Sequence, residues 1–102
     1  MTIAKFLDLS TKYLPFDDIK ILMTHADGAM PSGLIAIQHN HGYFIHVELD
    51  AERAEETASE LRAYGFSDAF IAVLRHARQH DCWWLNLDAD GEDEDGLPTF
   101  DW

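Results

Sequence analysis

Trp83-Trp84-Leu85-Asn86-Leu87-Asp88-Ala89-Asp90-Gly91 is an apolar run that ends in an acidic one. Its side chains alternate: Trp83, Leu85 and Leu87 fall on one face, and Trp84, Asn86 and Asp88 on the other, as the two-residue period of a strand requires. One face is aliphatic enough for a core. The other is aromatic and polar, an unusual mixture for a surface that meets only water. Beyond the strand, residues 88–96 form an acidic loop and 97–102 an aromatic segment ending in Phe100-Asp101-Trp102. From Asp88 to Trp102 there are seven acids and no base, so more than half of the net charge of −12 lies in the final fifteen residues.

The upstream chain supplies partners for that strand. Ile3 to Leu9 alternates, with Leu7 and Leu9 on one face and Phe6 and Asp8 on the other. Pro15 suits the first turn of a helix, and Asp17 and Asp18 complement its positive end. Phe16, Ile19, Met23 and Ala26 form the expected buried stripe of this helix, and Asp27-Gly28 its stop. Gly33 to Gln38 and Tyr43 to Leu49 read as two strands joined by the polar turn His39-Asn40-His41-Gly42. Tyr43, Ile45 and Val47 share a face, opposite Phe44, His46 and Glu48. Asp50 is the expected N-cap of a helix over Ala51 to Tyr64, closed by Gly65. Its inward residues are Ala54, Ala58 and Leu61, and Glu52, Glu56 and Glu60 make an outward acidic row. Like charges at this spacing cost about 0.2–0.5 kcal/mol per pair in an isolated helix. Ser67 caps a further helix that buries Phe70, Val73, Leu74 and Ala77.

The order strand, helix, strand, strand, helix, helix, strand predicts an α+β fold, a two-layer sandwich in which helices pack on one face of a mixed four-stranded sheet. Leu97 to Asp101 offers a further short strand. The uncovered sheet face carries Phe44, His46, Trp84, Asn86 and Asp88, to be covered by the C-terminal segment or by a partner. The 102 residues, 47% of them hydrophobic and including three Trp, three Tyr and six Phe, fit one folded domain over 1–102.

Five segments resemble a bacterial family of small uncharacterised proteins. They are Leu7-Asp8-Leu9-Ser10-Thr11, Gly42-Tyr43-Phe44-Ile45, Leu74-Arg75-His76-Ala77-Arg78, Trp84 to Gly91, and Gly96-Leu97-Pro98-Thr99-Phe100-Asp101-Trp102. The family shares an early Leu-Asp-Leu-Ser/Thr segment, a Gly-aromatic strand, a Leu-Arg-x-Ala-Arg helix and an ending of the form Asp-x-Asp-Gly…Gly-Leu-Pro-x-Phe/Tyr-Asp-Trp. Membership implies a cytoplasmic accessory protein of proteobacteria and their mobile elements, such as plasmids and phages. It brings no activity and no catalytic residues.

The residues themselves narrow the chemistry. Asp88-x-Asp90-Gly91 looks like the nucleophile motif of haloacid-dehalogenase-type phosphotransferases, but that fold needs a long α/β core after the motif and eleven residues follow Gly91. An EF-hand fails because Asp93 stands at the sixth position, which needs Gly, and Thr99 at the twelfth, which needs Glu. His76 and His80, four apart on a helix and close to Cys82, form one candidate metal cluster, with Asp88 and Asp90 as further candidate ligands. His39, His41 and His46 form another. The commoner meanings are boundary histidines, a polar hairpin tip and a solvated acidic loop. Cys82, the single cysteine, has no partner for an internal disulfide and beside Trp83 reads as a small buried residue. Neither a nucleophile elbow nor a phosphate-cradling glycine loop is present, so no catalytic residue and no cofactor is expected.

The expected function is therefore a non-enzymatic interaction module. Its charge opposes direct binding to nucleic acid or an anionic membrane and favours a protein with a basic surface. Asp88, Asp90, Glu92, Asp93, Glu94 and Asp95 with Glu52, Glu56 and Glu60 would supply attraction, and Trp84, Phe100 and Trp102 the anchoring contact. In a mobile-element setting the target would be the nucleic-acid channel of a CRISPR or restriction complex, with carboxylates standing where phosphates stand. A divalent-metal protein or metal-dependent enzyme using Asp88 and Asp90 is the alternative. A homodimer that hides the aromatic face is the third reading.

Overall fold

The computed structural model describes residues 6–24, 27–29, 35–39, 41–89, 91 and 97–100. The chain runs through β1 (Phe6–Ser10), a 3-10 turn (Thr11–Tyr13), α1 (Phe16–Thr24), β2 (Asp27–Ala29), β3 (Ile35–His39), β4 (Gly42–His46), α2 (Ala51–Tyr64), α3 (Asp68–Gln79) and β5 (Trp84–Asp88). The strands form one sheet in the order β1-β5-β4-β3-β2. Strand β1 runs parallel to β5, and the other pairs are antiparallel. The last strand thus lies inside the sheet, between the first strand and the hairpin.

The expected α+β architecture is present, with the four expected strands. The three-residue β2 extends the sheet beyond β3, using the Asp27-Gly28 read from sequence as a helix stop. Three residues are too few for an alternating pattern to show. Residues 97–100 form no strand; the Phe100 N–H donates instead to the Lys12 carbonyl, 2.8 Å away.

Register sorts the sheet into two faces. Leu9 pairs with Leu87, which pairs with Tyr43, and Leu85 pairs with Ile45, which pairs with Ala36. All six are buried, in one core with Ile19 and Leu22 of α1, Ala58 and Leu61 of α2, and Phe70, Ile71, Val73 and Ala77 of α3. The helices therefore cover this face. The local signals for them are in place. The Asp50 carboxylate accepts from the Arg53 N–H, Gly65 takes φ +125° at the end of α2, and the Ser67 hydroxyl accepts from the Phe70 N–H.

Helix α1 is rotated from its expected setting. Phe16 and Met23 are 44% and 58% exposed, while Ile19, Leu22 and Asp18 point inward. Ala26 lies outside the described residues. Apolar residues occur around much of this helix, so spacing alone does not choose a stripe. A polar contact accompanies the observed one: the buried Asp18 carboxylate accepts from both the Ser67 N–H, at 2.9 Å, and the Ser67 hydroxyl. Asp18 thereby ties α1 to the positive end of α3.

Burial pushes the Asp18 carboxyl above its usual value of 3.8, with the two Ser67 hydrogen bonds pulling it down and Asp17 adding a smaller upward push. A raised folded pKa means that the native state holds this proton more tightly than the unfolded chain does. The contribution to stability is complete below 3.8 and is lost as pH rises through the folded value. Asp18→Asn, which keeps an acceptor and carries no charge, is expected to remove this component. Urea unfolding of the two proteins should show their stability difference shifting in favour of the variant over that window and then levelling off. Asp18→Ala leaves the Ser67 N–H without its acceptor and should cost about 1–3 kcal/mol.

Candidate functional site

The second sheet face is built by the side chains that alternate with the core. Phe6 pairs with Trp84, which pairs with His46; Asp8 pairs with Asn86, Asn86 with Phe44, and Phe44 with Ile37. None of these seven residues is buried, and Phe6 and Ile37 are 57% and 50% exposed.

The rings form a connected cluster. Phe44 lies edge-to-face with Phe6, at 6.0 Å between centroids, and with Trp84, at 6.4 Å. Trp84 meets the His46 ring at 5.2 Å, and His39 meets Phe44 at 5.3 Å. Edge-to-face pairs set the positive edge of one ring against the negative face of the next.

A polar thread crosses the same face. The His41 N–H donates to His39 Nδ1 at 3.3 Å, which leaves the ring proton on Nε2 in the neutral tautomer. His39 Nε2 donates to Asn86 Oδ1 at 2.8 Å, and Asn86 Nδ2 donates to Asp8 Oδ1 at 3.0 Å. The thread runs from β3 across β4 to β5 and β1. On β4 its ends are aligned with Gly42, which pairs with His39, and Phe44, which pairs with Asn86. None of the described strand positions on this face carries Lys or Arg; Asp8, Asp88 and, by its register with Ile37, Asp27 are its acidic positions.

The other predicted site residues divide into two groups. Glu52, Glu56 and Glu60 are exposed on α2, as the outward row requires. Between them Glu55 pairs with Arg75 at 3.2 Å and Arg78 at 3.8 Å, which ties α2 to α3. Asp88 is half-buried at the end of β5, where its carbonyl accepts from the Gly91 N–H. Phe100 is half-buried beside the 3-10 turn, and Leu97 packs against the core. This anchors residues 97–100 by their backbone and apolar contacts near the end of β1. Asp90, Glu92, Asp93, Glu94, Asp95 and Trp102 lie outside the described residues.

His76 on α3 and His80 at its C-cap meet edge-to-face, with ring centroids 4.6 Å apart. Cys82 is buried, with its Sγ 3.6 Å from the His80 carbonyl oxygen. Among the described residues no three His, Cys, Asp or Glu side chains gather in a way that could hold a metal ion. The hairpin histidine His39 belongs to the polar thread. Trp83, expected on the core face, precedes β5 and is 40% exposed, its carbonyl accepting from the Val47 N–H at 2.7 Å. Among the described residues no helix is long and apolar enough to cross a membrane.

Sequence alternation identifies Phe44, His46, Trp84 and Asn86 as one face. It misses Asp8 and His39 as their partners, because the thread joins residues 47 and 78 positions apart. Only strand register brings them together.

A family model described as a family of unknown function, DUF5983 C-terminal domain, matches residues 6–102. No curated protein and no solved structure matches the chain.

Proposed function

Because the chain belongs to DUF5983, a family of unknown function, through its C-terminal domain, membership brings no activity, and we propose from the geometry that it is a non-enzymatic acidic module for binding a basic protein surface. The observation that carries this reading is the open sheet face, where Phe44 and Trp84 form an edge-to-face pair beside carboxylates. Aromatic side chains set in a polar surround are the usual anchors of protein interfaces. Carboxylates around them raise the association rate with a positive partner and fix its orientation. The exposed row Glu52, Glu56 and Glu60 extends the negative field, and the net charge of −12 has the same sign. The basic channel of a nucleic-acid-binding complex, such as a CRISPR or restriction assembly, is the partner class that fits, with carboxylates occupying phosphate positions.

Affinity capture from a bacterial lysate tests the reading, with three variants beside the parent: Phe44→Ala with Trp84→Ala; Glu52, Glu56 and Glu60 to Gln; and Glu92, Asp93, Glu94 and Asp95 to Gln or Asn. Basic proteins should be retained by the parent and eluted by salt. Losing two anchors at about 2 kcal/mol each should abolish their retention, whereas the charge variants should mainly slow capture. Identical retention by all four proteins would refute the proposal. A dimer in sedimentation that the aromatic variant dissociates would assign the face to a second copy instead.

A further inference from the structure

We infer that the open face contains a socket for an arginine guanidinium of the partner, formed by the rings of Trp84 and Phe44 and the carboxylate of Asp8. This rests on the interaction reading and specifies the chemistry that the face recognises.

The carboxylate is held in place before any partner arrives. Asp8 Oδ1 accepts from Asn86, Asn86 accepts from His39, and His39 accepts from the His41 backbone. A backbone N–H thus fixes one end of the thread, so each side chain in it is oriented by the one before. Among the described residues nothing donates to Asp8 Oδ2, and Asp8 makes no ion pair. A half-buried carboxylate oriented by an amide and left without a cation has unused capacity for a charged donor.

The rings complete the recognition. Asp8, Asn86 and Phe44 are register neighbours on β1, β5 and β4, so the carboxylate and the Phe44 ring lie on one row of the sheet. Neighbouring strands are about 4.8 Å apart, so Asp8 and Phe44, two strands apart with Asn86 between them, are separated by about 9.6 Å, which one extended arginine side chain with its head group can span. Phe44 and Trp84 stand at 85° to each other, and neither is buried. A cation over such a ring gains from its quadrupole, and a guanidinium can stack on the ring while its edge donates to a carboxylate. Lys offers a point charge and no plane, so Arg is the better match.

Charge selects against other occupants. A phosphate-bearing ligand would meet Asp8 and Asp88 with no Lys or Arg at the described positions of the face. A second copy docked face to face would bring the same two carboxylates and no cation from its own described strand positions.

The test is a site-resolved NMR titration of the full chain with acetylated, amidated hexa-arginine, hexa-lysine and hexa-citrulline, at about 0.15 M salt to screen long-range attraction. Hexa-arginine should shift the Trp84 indole N–H and the Asn86 side-chain amide. Hexa-lysine should bind about tenfold more weakly and hexa-citrulline leave these signals unmoved. Asp8→Asn should weaken hexa-arginine binding about tenfold or more, whereas changing Glu52, Glu56 and Glu60 to Gln should alter it by less than about threefold. Phe44→Leu provides a second variant, with the amide spectrum of each confirming the fold. Shifts confined to α2 or the acidic loop, or an affinity indifferent to both Asp8→Asn and Phe44→Leu, would overturn the socket and leave the interaction module standing on its capture result. Conversely, hexa-arginine binding at Asp8 without capture of any basic protein would keep the socket and remove the module.

Discussion

Gly42→Ala is expected to abolish the native sheet. A Cβ at this position would lie 1.7 Å from the Leu87 carbonyl oxygen, 2.7 Å from its carbon and 3.0 Å from the Asp88 Cα. All three are backbone atoms of β5, the strand that pairs with both β4 and β1, so no flexible side chain can yield. Relief requires β4 to move away from β5. Ordinary overpacking costs about 1–3 kcal/mol, and a clash this deep against backbone exceeds that range. Typical domains have only about 5–15 kcal/mol in total. Soluble yield and amide dispersion should therefore collapse. Gly65→Ala is the control: its φ of +125° is unfavourable for alanine, but a Cβ there would lie in ordinary contact with Ile21 Cδ1, at 3.6 Å. Its cost should be about 1–2 kcal/mol, with the fold retained.

Phe70→Ala is expected to cost about 3–5 kcal/mol in urea unfolding. Phe70 is fully buried on α3 and stacks on Phe66, with ring centroids 4.3 Å apart and planes 18° from parallel. Truncation removes buried apolar surface and leaves a void between the helices and the sheet. Helix propensity offsets little of this, since alanine improves on phenylalanine by less than about 0.7 kcal/mol. The Ser67 hydroxyl still accepts from the backbone N–H at residue 70, so the cap survives and the loss reports packing alone. Phe6→Ala makes the contrast. With 57% of Phe6 exposed on the open face, its removal should cost much less than that of Phe70.

The fold was legible wherever one local pattern had one solution. Leu85 and Leu87 alternate with Trp84, Asn86 and Asp88, and the structure places them on opposite faces as that period demands. Asp50, Gly65 and Ser67 bound their helices because each satisfies backbone groups that the helix leaves open. Helix α1 was ambiguous because Phe16, Ile19, Leu22 and Met23 permit more than one inward face. The interior anchor is Asp18, a residue whose type ordinarily signals the surface. The candidate site divides in the same way. Its rings follow from alternation within β4 and β5, whereas Asp8, Asn86 and His39 share no local spacing and meet only through the register of three strands.

Strand β5 also governs when this domain can exist during synthesis. It is made after every other described element, yet it occupies the interior of the sheet, between β1 and β4. A nascent chain that has emerged through α3 therefore holds a β3–β4 hairpin and a β1 with no sheet to join. Both leave hydrogen-bonding edges open and their core faces without the central strand. Folding must wait for the last strand, and the cost of closing a loop that spans nearly the whole chain falls on that final step. The delay before β5 becomes available thus sets how long the exposed edges of β1 and β4 are open to chaperones or to one another.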